Sequence, residues 1–116
     1  MITDPRVNSY LETILWAECG GDGEPLDATY SVDDFADEAI ARTELEINAL
    51  FLWAEPYLEG ESETQVAHDF WLTRAKHGAG FWDGGYGTFG DVLTSTAHRF
   101  PELSAYVGDD GRIYLA

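Results

Sequence analysis

The chain has few basic residues, one cysteine and no long uninterrupted hydrophobic run. A single cysteine, Cys19, cannot close an intrachain disulfide, so the fold must be held by a packed core. We expect Cys19 to be a small core residue near a helix end, with a reactive or intermolecular thiol as the alternative. The chain opens without a basic segment followed by an apolar run, and no window has transmembrane length, which predicts a cytoplasmic protein with no membrane partner.

The shortage of positive charge excludes direct nucleic-acid binding. Six lysines and arginines stand against 22 aspartates and glutamates, a formal net charge of −16. Affinity for phosphate backbones depends on cations that release counterions, and this chain offers few. The acids are concentrated in residues 1–66, whereas a salt-adapted protein would carry them along its whole length. The asymmetry predicts a dedicated acidic face that captures basic partners.

Standard motifs for phosphates and metals are also absent. The glycines between residues 78 and 90 form neither a dinucleotide-binding fingerprint nor a P-loop. His68 and His77 with Asp69 and Asp83 match no standard zinc spacing, and thiolate clusters are lacking. We therefore predict no metal site and no cofactor.

The residues that are present are sufficient for one globular domain. Hydrophobic residues make up 45% of the chain and aromatic residues 14%, which is ample for a packed core. We expect a single domain over residues 1–116, with an acidic helical half at 1–66 and a ββαββ-like half at 67–116. The predicted class is α+β, with N-terminal helices packed on a small antiparallel sheet of two β-hairpins separated by a helix.

Two amphipathic helices are predicted in the first half. Asp4-Pro5 provides an N-cap with proline at the first helical position, and the helix stops at the glycines that begin with Gly20. A second helix over residues 31–54, about 35 Å long, is opened by a Ser31–Asp34 capping box and ended by Pro56. Its apolar stripe contains Phe35, Ala36, Ala39, Ile40, Ile47, Leu50, Trp53 and Ala54. Leu45, Phe51 and Leu52 lie outside this stripe, so the first helix covers them or they contact a partner, including a second copy of the chain.

The second half changes its periodicity. Residues 70–74 and 80–83 are rich in strand formers, and a turn between them predicts a β-hairpin. A helix over residues 62–74 remains the alternative, because Val66, Phe70, Trp71 and Arg74 also suit one helix face. We predict a helix over residues 88–99 and a second hairpin over residues 104–115.

The first hairpin carries the candidate catalytic residues. In an enzyme, His68 or His77 would be a general base oriented by Asp83 or Asp69, and Arg74 would hold an anion. Histidine suits this role because it titrates near neutrality. The structural alternative pairs Arg74 with Asp83 or Asp69 across the hairpin and leaves the histidines to cap or hydrogen-bond the backbone. No serine or cysteine nucleophile has a recognisable local motif.

The candidate partner-binding residues lie mainly on the second helix. Asp33, Asp34, Asp37, Glu38 and Glu44 fall on or beside its polar side. Duplex DNA carries one charge per roughly 1.7 Å of axis, so carboxylates along such a helix could imitate one edge of it. Strand alternation also places one tryptophan, Trp71 or Trp82, on an outer face as a contact anchor.

Three segments of the second half resemble a family of small bacteriophage proteins to which no activity is assigned. They are HDFWLTRAKHGAGFWD, GDVLTSTAHRF and YVGDDGRIY, within residues 67–114. The resemblance implies a phage accessory protein that acts in the host cytoplasm. By analogy with other small acidic phage proteins, it would inhibit a host defence or regulatory protein.

Together these observations predict a non-enzymatic binding protein. Its partner would be a basic host protein, such as a nuclease, a repressor or a defence complex, and an anti-CRISPR or anti-restriction role would be one instance. The alternatives are a small enzyme built on His68, Arg74, His77 and Asp83, and a virion or replication accessory protein.

Overall fold

The computed structural model describes residues 2–77, 79–83 and 85–116. The first helix, α1 (Pro5–Ala17), begins as the sequence predicts, with the Asp4 side chain accepting a hydrogen bond from the Arg6 amide. Its inward face buries Val7, Tyr10, Leu11, Ile14 and Leu15. The prediction for Cys19 is wrong: its side chain is exposed, just after the helix ends.

The second helix is shorter than predicted. The Ser31–Asp34 capping box is present, but it opens a 3₁₀ turn at Val32–Asp34, and helix α2 starts afresh at Asp37–Ala54. At about 1.5 Å per residue, α2 spans roughly 27 Å rather than 35 Å. Its predicted apolar stripe is buried at most positions, from Ala39 to Ala54, and Pro56 lies in the 3₁₀ turn that ends it. Trp53 is the exception, being half exposed.

The first predicted hairpin is wrong, and its helical alternative is correct. Residues Glu63–Arg74 form helix α3, capped by Ser62, whose hydroxyl accepts a hydrogen bond from the Gln65 amide. This helix is buried on nearly all sides, so its sequence shows no clear apolar period. The ββαββ arrangement of the second half is therefore not formed, because its first two strands are replaced by α3 and a loop.

The loop after α3 lies across that helix and leads into α4 (Gly90–Ala97). Thr73 connects this loop to α3, because its hydroxyl donates to the Asp69 carbonyl within the helix and accepts from the Phe81 amide in the loop. Helix α4 is shorter than the predicted 88–99 helix, with a 3₁₀ turn at Gly87–Phe89 before it.

The last predicted hairpin is confirmed. Strands β1 (Ala105–Val107) and β2 (Ile113–Leu115) pair antiparallel, with Tyr106 opposite Tyr114. The hairpin is joined to the start of α2, since the Ala36 amide donates to the Ile113 carbonyl at 2.9 Å. Helices with a small antiparallel sheet confirm the α+β class.

Candidate functional site

Arg74 is a buried structural residue and has little capacity left to hold an anion. Its guanidinium donates to the Glu46 carboxylate at 2.6 Å, to the Tyr10 hydroxyl at 3.2 Å and, through two nitrogens, to the Pro101 carbonyl. Four of its five donors are therefore used within the fold. The prediction that Arg74 pairs with Asp83 or Asp69 is wrong, because its carboxylate partner is Glu46 on α2.

His68 lies about 120° around α3 from Arg74, at 100° per residue, and contacts a different part of α1. Its Nδ1 is 2.9 Å from the Thr13 hydroxyl, and its ring stacks on Trp16 with centroids 5.6 Å apart. The Thr13 hydroxyl proton is donated to the Ser9 carbonyl, so the neutral His68 ring must donate from Nδ1. This leaves Nε2 as the free acceptor of His68.

His77 belongs to a different cluster, at the end of α1. Its Nε2 contacts the Glu18 carboxylate, which also accepts a 3.1 Å hydrogen bond from the Trp71 indole. Glu18 thus orients His77 and satisfies the buried Trp71 nitrogen. His77 has an acidic partner as an enzyme hypothesis would require, but that partner is neither Asp83 nor Asp69.

The two candidate orienting aspartates serve the backbone and a buried tyrosine. Asp83 accepts a 2.9 Å hydrogen bond from the Gly80 amide and so closes a tight turn. Asp69 is buried and accepts from the Tyr86 hydroxyl at 2.7 Å and from the Gln65 amide group. Burial, reinforced by the hydrogen bond to Asp69, raises the pKa of Tyr86.

The catalytic candidates therefore have separate sets of partners. His68 contacts Thr13 and Trp16, His77 contacts Glu18, and Arg74 contacts Glu46 and Pro101. Among the residues that the structure describes, no group of three or more histidine, cysteine or carboxylate side chains is placed to hold a metal ion. This arrangement gives no cooperating acid, base and anion clamp.

The two tryptophans proposed as contact anchors differ in exposure. Trp71 is fully buried in α3, so its assignment to a partner surface is wrong. The alternation that placed it outward applies to a strand, whereas the residue lies in the most buried helix of the molecule. Trp82 is 56% exposed and stays available as a contact residue.

The predicted acidic residues lie just before α2 and along its first half. Asp33, Asp37, Glu38 and Glu44 are exposed, and the ion pairs of the described chain include none of the four. Asp34 is half-buried and accepts a 2.8 Å hydrogen bond from the Ser31 amide, so it serves the capping box. Asp37 and Glu38 also lie at the positive end of the α2 dipole, and the partial positive charge of that end offsets part of their negative charge.

One side of α2, its outer face, stays exposed along the whole helix. We define the outer face as Asp37, Ala41, Glu44, Leu45, Asn48, Leu52 and Glu55, all exposed and all within about 100° of arc at 100° per residue. Leu45 is 74% and Leu52 69% exposed, so α1 does not cover them. The sequence signal for this face was the position of both leucines outside the apolar stripe.

A groove beside the C-terminal end of α2 could not be found from sequence. This acidic groove has a volume of 680 Å³, with Phe51, Leu52 and Leu58 among its apolar lining and Glu55, Glu59, Glu61 and Glu63 among its acidic lining. The Arg6 guanidinium lies over the Phe51 ring, 4.8 Å from its centroid, and is paired with Asp4 at 2.8 Å. The shape of the acidic groove depends on how the turn after α2 folds back toward α3.

Comparison of the chain with protein-family models, with curated proteins and with solved structures gives no match. Across the described segments, no helix combines the length and the apolar character needed to cross a bilayer.

Proposed function

We propose that this protein binds a basic partner protein through its acidic surface and blocks the partner's nucleic-acid-binding site. The observation that carries the proposal is the unpaired state of four exposed carboxylates just before α2 and in its first half, those of Asp33, Asp37, Glu38 and Glu44. A cationic surface can bind them without first breaking an internal ion pair.

No ion pair of the described chain joins a cation, Arg99 included, to these four carboxylates. Arg74 and Arg42 pair with Glu46, Arg6 pairs with Asp4, and Lys76 pairs with Glu102. Arg112 reaches this region but donates to the Asp33 carbonyl rather than to its carboxylate. The acidic excess therefore stays available to a partner, which the phage resemblance would place in the host cytoplasm.

The charge density of α2 limits how closely it imitates DNA. Over its length of roughly 27 Å, duplex DNA would present about 16 phosphates. Helix α2 carries four carboxylates, of which Glu46 is committed to the buried ion pair with Arg74. Mimicry would have to extend over the acids before and after α2, and contacts other than charge must contribute to affinity.

The test is a competition between this protein and DNA for a basic partner. Basic proteins captured from host extract are purified, loaded with a short labelled duplex and titrated with the protein while fluorescence anisotropy is recorded. We expect release of the duplex, weakened by added salt because exposed charges are screened over about 8 Å at physiological ionic strength.

The decisive variant carries Asp33→Asn, Asp37→Asn, Glu38→Gln and Glu44→Gln. Exposed ion pairs contribute about 0.2–1 kcal/mol each, so binding should weaken about tenfold or more. The matched control removes four exposed acids elsewhere that form no ion pair in the described chain, with Asp27→Asn, Asp91→Asn, Glu24→Gln and Asp109→Asn. Equal losses in both variants would show that net charge alone, and not this surface, drives binding.

A further inference from the structure

The outer face of α2 and the acidic groove form one continuous surface, because Leu52 and Glu55 belong to both. Leu45 and Leu52 are two helical turns apart, about 10 Å along the axis. A row of exposed leucines at this spacing is the pattern that a second helix packs against.

We propose that this surface binds a basic amphipathic helix of the partner. The proposal rests on the proposed function and specifies the partner's binding element. The apolar side of that helix packs on Leu45 and Leu52, and one of its ends enters the acidic groove. Its lysines and arginines face the glutamates of the groove.

Charge complementarity selects a basic occupant. Glu55, Glu59, Glu61 and Glu63 are all exposed in the groove lining, and the one cation there, Arg6, is neutralised by Asp4. An apolar helix without basic flanks would desolvate these carboxylates without compensation. Lysine or arginine beside the apolar residues removes that penalty.

Arg6 shows that the groove accepts a cation on an aromatic surface. Its guanidinium lies over Phe51 and donates a 2.7 Å hydrogen bond to the Asn48 side chain on the outer face. Because Arg6 already covers this ring, an arginine from a partner would lie beside it and pair with the glutamates of the groove.

A second copy of the chain is a poorer occupant. Pairing two outer faces would bring Glu44 and Glu55 of one copy close to the same residues of the other, with no free cation on that face to compensate. The leucines alone would favour such a dimer, but the repulsion between the glutamates of the two copies disfavours self-association and favours a basic partner.

The leucines and the acids have different roles in this surface. Burying an exposed leucine contributes several times more free energy than an exposed ion pair does. The leucines therefore supply most of the affinity, while the glutamates select the partner and set the salt dependence.

The test uses two synthetic peptides of identical leucine and lysine composition. In one, the leucines recur at i, i+4 and i+7; in the other, the order is scrambled so that charge is kept and the apolar stripe is lost. Binding of each labelled peptide to the full chain is measured by fluorescence anisotropy over a range of salt concentrations. We expect the amphipathic peptide to bind about tenfold more tightly than the scrambled one.

Two variants locate the binding surface. Leu45→Ala with Leu52→Ala should weaken binding of the amphipathic peptide about tenfold, and these exposed positions should leave the fold intact. The control, Trp16→Ala with Tyr106→Ala, removes two apolar side chains that are about half exposed elsewhere on the surface and should leave peptide binding unchanged.

Each contrary result has a distinct meaning. Equal affinity for both peptides, with loss only in the Asp33, Asp37, Glu38 and Glu44 variant, would overturn the helix-binding surface and leave the proposed function standing. Failure of the amphipathic peptide to bind even at low salt would also overturn it, while the DNA competition would judge the proposed function separately. Concentration-dependent dimerisation that is lost in the leucine variant would assign the outer face to a second copy of the chain and overturn the proposal of a basic partner helix.

Discussion

Arg74 and Glu46 form a 2.6 Å ion pair in which the arginine side chain has no exposed surface. The guanidinium also lies 5.3 Å from the ring centroids of both Phe70 and Phe100. One side chain therefore joins α2, α3 and the segment after α4.

Replacing Arg74 should destabilise the protein strongly. Arg74→Ala leaves the Glu46 carboxylate and the Pro101 carbonyl without their main donor, so we expect a loss of about 3–5 kcal/mol in the free energy of unfolding. Arg74→Lys should also be destabilising, because an ammonium lacks the planar fork. Urea unfolding measures both, with Arg42→Ala as the control. Arg42 is a partly exposed partner of Glu46, and its loss should change stability by less than about 1 kcal/mol.

Gly80 should not tolerate a side chain. Its φ is +137°, and an added Cβ would lie 2.1 Å from the Thr73 hydroxyl oxygen. We expect Gly80→Ala to cost about 2–4 kcal/mol, the sum of backbone strain and overpacking. Gly85→Ala is the matched control, since its φ of +87° carries the strain but nothing lies within 4 Å of the added atom. Equal thermal shifts for the two variants would contradict the close approach of the loop to α3.

Lys76→Gly should stabilise the protein. Lys76 has a φ of 59°, and its amide donates to the Thr73 carbonyl while the His77 amide donates to the Leu72 carbonyl. These two bonds form a Schellman motif, whose left-handed position favours glycine. We expect a gain of about 0.5–1 kcal/mol in the free energy of unfolding.

The control for this gain is Lys76→Ala, which keeps the unfavourable φ. It also removes the ion pair with Glu102, whose groups are 3.5 Å apart and more than half exposed. Lys76→Ala should change the free energy of unfolding by less than about 0.5 kcal/mol. A loss of stability in Lys76→Gly would mean that the ion pair outweighs the backbone strain.

Alkaline pH should destabilise the fold through Tyr10 and Tyr86. Burial raises the pKa of both hydroxyls, since a phenolate inside the protein is poorly solvated. Unfolded tyrosines ionise near pH 10, so the contribution of these two residues to stability stays constant below about that pH and falls above it, by up to about 1.4 kcal/mol per pH unit for each residue. Urea unfolding at rising pH measures this slope, and Tyr10→Phe and Tyr86→Phe should each reduce it. An unchanged slope in both variants would contradict the assignment.

The sequence predicted those parts of the fold in which local chemistry and burial agree. Asp4-Pro5 places the start of α1, and the buried side of α2 follows its apolar period. Residues 70–74 misled the prediction because α3 is buried on nearly all sides. A helix that is buried nearly all round shows no regular alternation between an apolar and a polar side. Its Phe, Trp and Thr residues are also good strand formers.

The candidate surfaces were predictable to different extents. Exposure of Asp37 and Glu44 follows from their place opposite the apolar stripe of α2. The partners of His68 and His77 do not follow from sequence, because Thr13 and Glu18 reach them only when α1 packs on α3. The acidic groove likewise depends on the turn between α2 and α3.

The bond between Ala36 and Ile113 has a consequence for synthesis on the ribosome. Phe35 is fully buried and forms a parallel bridge with Ile113. Ile113 is synthesised 78 residues after Phe35, when α2 has already been made. The nascent chain therefore holds Phe35 without its β2 partner until Ile113 has been synthesised, and we expect the start of α2 to reach its final packing only then. Mutual repulsion among the acids of the first half would keep neighbouring nascent chains apart during that wait.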